Sequence, residues 1–129
     1  MTEKEKLEMI SYRMKRAQET FREVQLHIDN ELWTTAINRL YYACYYAVSA
    51  LLLKKNIKTR SHAGTRQMFG LHFIKNEVIS KELGKFYSDI FDMRHTGDYD
   101  DFVDYSKEDV MSALDPAKDL ISKIETLVK

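Results

Sequence analysis

Apolar residues recur along this chain at the three- and four-residue spacing of helices that bury one face. Between Lys4 and Ile28 the positions Leu7, Ile10, Met14, Ala17, Phe21, Val24 and Ile28 alternate three and four apart, the narrow seam of a bundle helix. Asp29 or Asn30 is expected to break this helix and cap the next. The second helix, from about Glu31 to Lys55, carries a broad apolar arc of Trp33, Ile37, Leu40, Tyr41, Cys44, Val48, Leu51 and Leu52. Its opposite face holds Thr35, Asn38, Arg39, Tyr42, Tyr46 and Ser49, groups that make directed hydrogen bonds but mostly carry no charge. A helix so short of charge is predicted to be covered on both sides and to sit at the centre of the fold.

A basic loop, Asn56 to Arg60, follows, and Ser61 is placed to cap a shorter helix from about His62 to Ile74. A fourth helix is predicted from Ser80 to His95, ended by Gly97. Its buried stripe runs Leu83, Tyr87, Ile90 and then Arg94, so a guanidinium stands where an apolar side chain is expected. Such an arginine needs a partner, a cleft or an interface. Ser106-Lys107-Glu108-Asp109 resembles a capping box that opens a fifth helix, with a seam of Val110, Leu114, Ala117, Ile121, Ile124 and Val128. Pro116 falls inside that helix, but the stripe stays in phase across it, which predicts one bent helix. The architecture implied is a single all-α domain over residues 1–129, an antiparallel bundle of four long helices plus one short helix.

Composition supports this and narrows the chemistry. Four glycines and one proline in 129 residues favour long helices over a sheet with many turns. One cysteine, Cys44, rules out an internal disulfide and fits a reducing, cytoplasmic setting. The N-terminus lacks the apolar run of a signal peptide, and the apolar span Leu32–Leu53 contains Asn38, Arg39 and four tyrosines, which excludes it as a membrane helix. Net charge is zero, yet Leu32 to Asn76 holds seven Lys and Arg with no acid, while Glu77 to Lys129 holds thirteen acids and seven bases. The basic middle suits a phosphate backbone, or pairing with the acidic half within or between chains.

No metal site is expected. His27, His62, His72 and His95 never fall at the four-residue spacing of a helical zinc pair. The acids Asp98, Asp100, Asp101 and Asp104 lack the glycine and the closing glutamate of a calcium loop. There is no phosphate-binding glycine loop, dinucleotide fingerprint or serine elbow, so no cofactor is implied. What remains is Arg94 and its surroundings. A guanidinium fork can hold a phosphate at two points, and Asp98 and Tyr99, just past the predicted helix end, can fold back toward it. The plain alternative is an Arg94–Asp98 ion pair that stitches the turn.

Three stretches in this order, Ala36-Ile37-Asn38-Arg39-Leu40-Tyr41-Tyr42-Ala43, Ser61-His62-Ala63-Gly64 and Arg94 through Tyr99, resemble the HEPN domain (higher eukaryotes and prokaryotes nucleotide-binding). The resemblance covers nearly the whole chain. It implies a bundle of four or five helices, a homodimer, and in bacteria a minimal nucleotidyltransferase partner in a toxin–antitoxin-like pair. Many such domains are metal-independent ribonucleases whose motif is an arginine followed, after four to six residues, by a histidine. Arg94 matches the arginine, but the histidine position falls on Tyr99, Asp100 or Asp101, and His95 comes too early. The tyrosine that some members carry for adenylate modification corresponds here to Asp101. A tyrosine keeps its proton at neutral pH and an aspartate has lost its own, so neither replaces an imidazole in proton transfer.

The reading that follows is a module binding a nucleotide, RNA or a nucleotidyltransferase partner. Its candidate site is Arg94, Asp98, Tyr99 and His95, facing Asn38, Arg39 and Tyr42, with Ser61 and His62 nearby. The alternatives are an active ribonuclease with a non-standard residue set, and a non-catalytic homodimeric assembly module.

Overall fold

A computed structural model describes all 129 residues and contains five α-helices and no strand: α1 (Glu3–Asp29), α2 (Trp33–Lys54), α3 (His62–Phe69), α4 (Lys81–Tyr99) and α5 (Lys107–Val128). Contacts between α1 and α2 pair Arg13 with Ser49 and Arg16 with Tyr46, and those between α2 and α4 pair Asn38 with Asp98 and Tyr41 with Arg94. Rising numbers on one helix meet falling numbers on the other, so both neighbours run antiparallel to α2. Gln18 meets Glu125 across α1 and α5.

Helix α2 is the centre, as its lack of charge requires. Within Trp33–Lys54 only Thr35 is exposed, and eleven residues are fully buried. Its apolar arc packs with Ile10, Met14, Ala17 and Val24 of α1, Tyr87 and Ile90 of α4, and Val110, Ala117, Leu120 and Ile124 of α5 in one core. Each fully buried Leu or Ile contributes roughly 1.5–3 kcal/mol over leaving it in water, and α2 supplies the largest share of such residues. Leu7, read as the start of the α1 seam, is exposed because the first turns of α1 extend past the core. No helix is long and apolar enough to cross a membrane.

The ends of the helices confirm some local signals and correct others. Ser61 accepts from Gly64 N at 2.9 Å at the start of α3, and Ser106 and Asp109 form the reciprocal capping box that opens α5. Helix α5 runs through Pro116 without a break. Asn30, in contrast, closes α1 instead of opening α2: its side-chain amide donates to Leu26 O at 2.8 Å, and α2 begins after Leu32 with no side-chain cap. The α3 segment widens at its end into a π-helical turn from Gly70 to Ile74, where Lys75 N–H reaches back five residues to Gly70 O at 2.9 Å.

The C-terminal end of α4 is the correction that matters for the site. The helix does not stop at His95 with Gly97 as its cap; it continues to Tyr99, and Gly97 has no positive φ. Gly97 serves close packing instead. A Cβ there would stand 3.0 Å from the Tyr105 ring and 3.2 Å from the Thr34 methyl. Tyr105 is fixed by donating its hydroxyl to Met93 O at 2.8 Å and its backbone N–H to Thr34 Oγ1 at 3.2 Å. The glycine therefore lets the chain fold back across the end of α4 and α2.

Candidate functional site

Helical periodicity places Asn38, Tyr41, Tyr42 and Tyr45 of α2 on the side facing α4 and the start of α3. Arg94 arrives from α4 on the same phase as Tyr87 and Ile90, and it is 7% exposed. Its guanidinium lies over the Tyr41 ring at 4.7 Å and the Tyr42 ring at 5.7 Å. The negative faces of those rings offset the cost of taking the cation out of water. One guanidinium nitrogen, Nη1, stands 3.6 Å from Asp98 Oδ2, an ion-pair distance but too long for a hydrogen bond. Its Nε is buried with no hydrogen-bond partner.

Asp98 follows Arg94 by four residues, only about 40° round the helix, so the continued α4 keeps it on the site face. Asn38 holds it there, donating to both carboxylate oxygens at 3.2 and 3.0 Å. Arg39 in turn donates to Asn38 Oδ1 at 3.1 and 2.7 Å and covers the Tyr42 ring at 5.1 Å. The chain Arg39–Asn38–Asp98–Arg94 thus sets two cations around one carboxylate, leaving the cluster positive.

His62, at the first turn of α3, completes the group. Its Nδ1 is 2.7 Å from the Tyr41 hydroxyl, and its ring lies 4.3 Å from that of Tyr45 and edge-on to Tyr42 at 5.7 Å. Arg66, one helical turn on in α3, bonds Asp92 Oδ1 at 3.1 Å and covers the Phe91 ring at 4.0 Å, which locks α3 onto α4. Arg94 and His62 stand 4.7 and 5.7 Å from the same Tyr41 ring, hence at most about 10 Å apart. Burial, and then the nearby Arg94 charge, lower the His62 pKa below its ordinary value, so its imidazole is neutral at pH 7. Burial pushes the Tyr41 phenol up to about 12, and it raises Tyr87 behind it as well.

Of the residues proposed from the sequence, Arg94, Asp98, Asn38, Arg39, Tyr42 and His62 come together. Ser61 adjoins them as the cap of α3. Tyr99 and His95 do not join the cluster. With α4 continuing, Tyr99 sits about 140° round from Arg94, 69% exposed and tilted against the His95 ring with centroids 4.8 Å apart. The expected fold-back of Tyr99 toward Arg94 fails because the helix does not end before it. Tyr41 and Tyr45 are the members sequence reasoning missed. The signal was present in the pairs Tyr41-Tyr42 and Tyr45-Tyr46, one turn apart, but Tyr41 fits the apolar arc and reads as core.

No group of three or more His, Cys, Asp or Glu side chains converges in the chain. Cys44 is fully buried, and burial raises its thiol pKa strongly.

Comparison with known proteins places these features in a family. The model of the HEPN domain matches residues 10–127. A UPF0332 protein of Thermotoga maritima is 40% identical over 129 residues, covering all of this chain and 96% of that protein. Two proteins of Methanocaldococcus jannaschii that bear the name "putative toxin" are 36% identical over 81 residues and 34% identical over 83 residues. Those two matches span 63% and 64% of this chain, and 55% and 62% of the toxins.

Proposed function

The chain belongs to the HEPN domain family, and from that premise we propose that it is the phosphate-binding module of a toxin-like system. The ligand class is a nucleotide or RNA, held by Arg94 and Arg39. One observation carries this reading: Arg94 is buried on a platform of tyrosine rings, makes no hydrogen bond within the chain, and leaves Nε without a partner. A guanidinium whose Nη groups make no hydrogen bond and whose Nε is buried without an acceptor is prepared for an anion that takes up its free donors. The ordinary fate of a structural arginine, a two-point bond to a carboxylate, is absent here even though Asp98 is at hand. The names of the two archaeal relatives support the toxin-like setting.

The homodimer and a minimal nucleotidyltransferase partner belong to the same proposal. They are tested by sedimentation of the purified chain and by co-purification with a nucleotidyltransferase encoded beside it.

The test of the site is binding of a fluorescent single-stranded oligonucleotide with 2′-O-methyl riboses, which cannot be cut at its 2′-oxygens. Arg94→Ala should weaken binding at least about tenfold, the loss expected when a charge-assisted contact is removed, while Arg94→Lys should fall between. Thermal melts of each variant separate loss of the site from loss of the fold. Unchanged affinity in a folded Arg94→Ala protein would sink the assignment.

A further inference from the structure

We propose that the end of the bundle away from Arg94 holds a separate site, an apolar pocket that takes a small carboxylate by its hydrocarbon tail. It does not depend on the phosphate reading. Its α2 wall, Leu51, lies ten residues beyond Tyr41, about 15 Å along the helix. Leu51, Ile57, Phe73, Val78 and Leu127 wall a cavity of about 340 Å³, within the size range of small-molecule sites. Lys55 and His72 supply its only polar side chains.

Two turns of the chain shape this pocket. After α2 ends at Lys54, Asn56 takes φ 60° and the Ile57 N–H returns to Leu52 O at 2.9 Å, which lays Ile57 across the helix end. On the other side the π turn Gly70–Ile74 is followed by Glu77 at φ 61°, and the Ile79 N–H closes back onto Phe73 O at 2.9 Å. That closure sets Val78 beside Phe73. A single π turn is a device often found at functional sites, and a left-handed backbone is uncommon at a residue other than glycine. Both fall here in the one segment that walls the pocket.

Burial and charge set the ligand class. Val78 at the mouth is 41% exposed, whereas Leu51 and Phe73 are 0% and 3% exposed. The pocket thus has a floor made of the rigid core and an apolar rim left open to solvent. No acid lines it, and the five ion pairs of the chain all lie elsewhere, so the Lys55 ammonium has no carboxylate partner. An imidazole donates an N–H in either charge state. Two donors above apolar walls match the two oxygens of one carboxylate. A phosphate dianion fits less well, because the remaining walls offer no side-chain donor for its third oxygen. At the liquid share of about 30 Å³ per water, the cavity takes roughly eleven heavy atoms, close to octanoate or 3-phenylpropionate.

The experiment titrates the full chain with octanoate, 3-phenylpropionate and the uncharged octanamide by calorimetry, with ¹⁵N-amide shifts to locate the ligand. Either acid should bind one to one with Kd below about 1 mM, moving the amides of Phe73, Val78 and Leu127. The tighter acid assigns the source as aliphatic or aromatic. Octanamide should bind about tenfold more weakly than octanoate, and Lys55→Ala/His72→Ala should lose about the same factor for the acid alone. Val78→Glu, at an exposed position that the fold tolerates, should abolish binding of the acids, whereas Arg94→Ala should leave it within about twofold. Octanamide binding as tightly as octanoate, or a folded Val78→Glu protein of unchanged affinity, would overturn the proposal. So would loss of binding in Arg94→Ala, which moves the acids to the phosphate site. No saturable binding up to about 10 mM overturns it as well; a Val78→Glu protein that then sediments at lower mass than the wild type would give the pocket to a second copy of the chain.

Discussion

Replacing Arg94 with methionine separates a cation kept for a ligand from one kept for stability. If Arg94 were a structural ion-pair partner, removing it would leave Asp98 unpaired and cost about 3–5 kcal/mol, the usual penalty for breaking a buried pair. The geometry predicts far less. Against Arg94 stand the desolvation of a guanidinium that is only 7% exposed and a buried Nε without an acceptor, the latter alone costing about 1–3 kcal/mol. In its favour are two ring contacts, together about 1–2 kcal/mol, and the 3.6 Å approach to a partly exposed Asp98, about 0–1 kcal/mol after solvent screening. Methionine refills most of the volume and keeps a sulfur–aromatic contact worth about 0.3–1.5 kcal/mol. Asp98 keeps its two bonds from Asn38. The terms nearly cancel, so Arg94→Met should change stability by less than about 1 kcal/mol in either direction, a few degrees in Tm. Urea unfolding followed by circular dichroism measures this directly. A loss above about 3 kcal/mol would refute the reasoning and return Arg94 to a structural role.

Other perturbations test other parts of the arrangement. Gly97→Ala should gain about 1 kcal/mol of helix propensity and lose about 1–3 kcal/mol to overpacking. The Tyr105 ring it would meet at 3.0 Å is tied at both ends, so net destabilisation is expected in thermal melts; stabilisation would show that Tyr105 yields. Asp98→Asn removes the one acid facing Arg94 and should tighten binding of the 2′-O-methyl oligomer, with weaker binding refuting the view that Asp98 competes with the ligand. His62 has a lowered pKa in the folded state, so below its ordinary value of 6.5 the unfolded chain takes up a proton that the folded chain resists. Its contribution to stability is therefore full above pH 6.5 and is lost as pH falls through and below that value. His62→Asn should flatten the fall in urea midpoint between about pH 7 and pH 5, and an unchanged slope would refute the assignment.

Most of the fold was legible because bundle helices announce themselves by spacing. The α1 seam from Ile10 to Val24 and the α5 seam from Val110 to Ile124 are buried as their three-and-four pattern requires, apart from the half-buried Phe21 and Leu114. The charge-poor second face of α2 correctly signalled a central helix. What failed was local: Gly97 before an acidic stretch looks like a helix stop, but its reason is a contact with Tyr105 and Thr34 that no local pattern encodes. Asn30 stands between two helices and serves the first, a choice that spacing leaves open. The same extension of α4 decided the site. It carried Asp98 onto the Arg94 face and Tyr99 away from it, so one misplaced helix end altered the geometry of two candidates.

Arg94 was visible because it interrupts an apolar stripe, whereas its platform was hidden because Tyr41 obeys one. That difference has a physical meaning. A buried cation can be neutralised by a carboxylate, which satisfies it and ends its usefulness, or tolerated on aromatic faces, which offset its desolvation without occupying its donors. Asp98 is within reach of the first solution, yet its two bonds go to Asn38 and it stands 3.6 Å from the guanidinium. Tyr41 and Tyr42 supply the second. Because Tyr41 belongs to the core, the platform is as rigid as the bundle itself, and it carries His62 on its hydroxyl as well as Arg94 on its face. A residue that sequence patterning assigns wholly to packing is thereby the one that fixes the distance between the two groups.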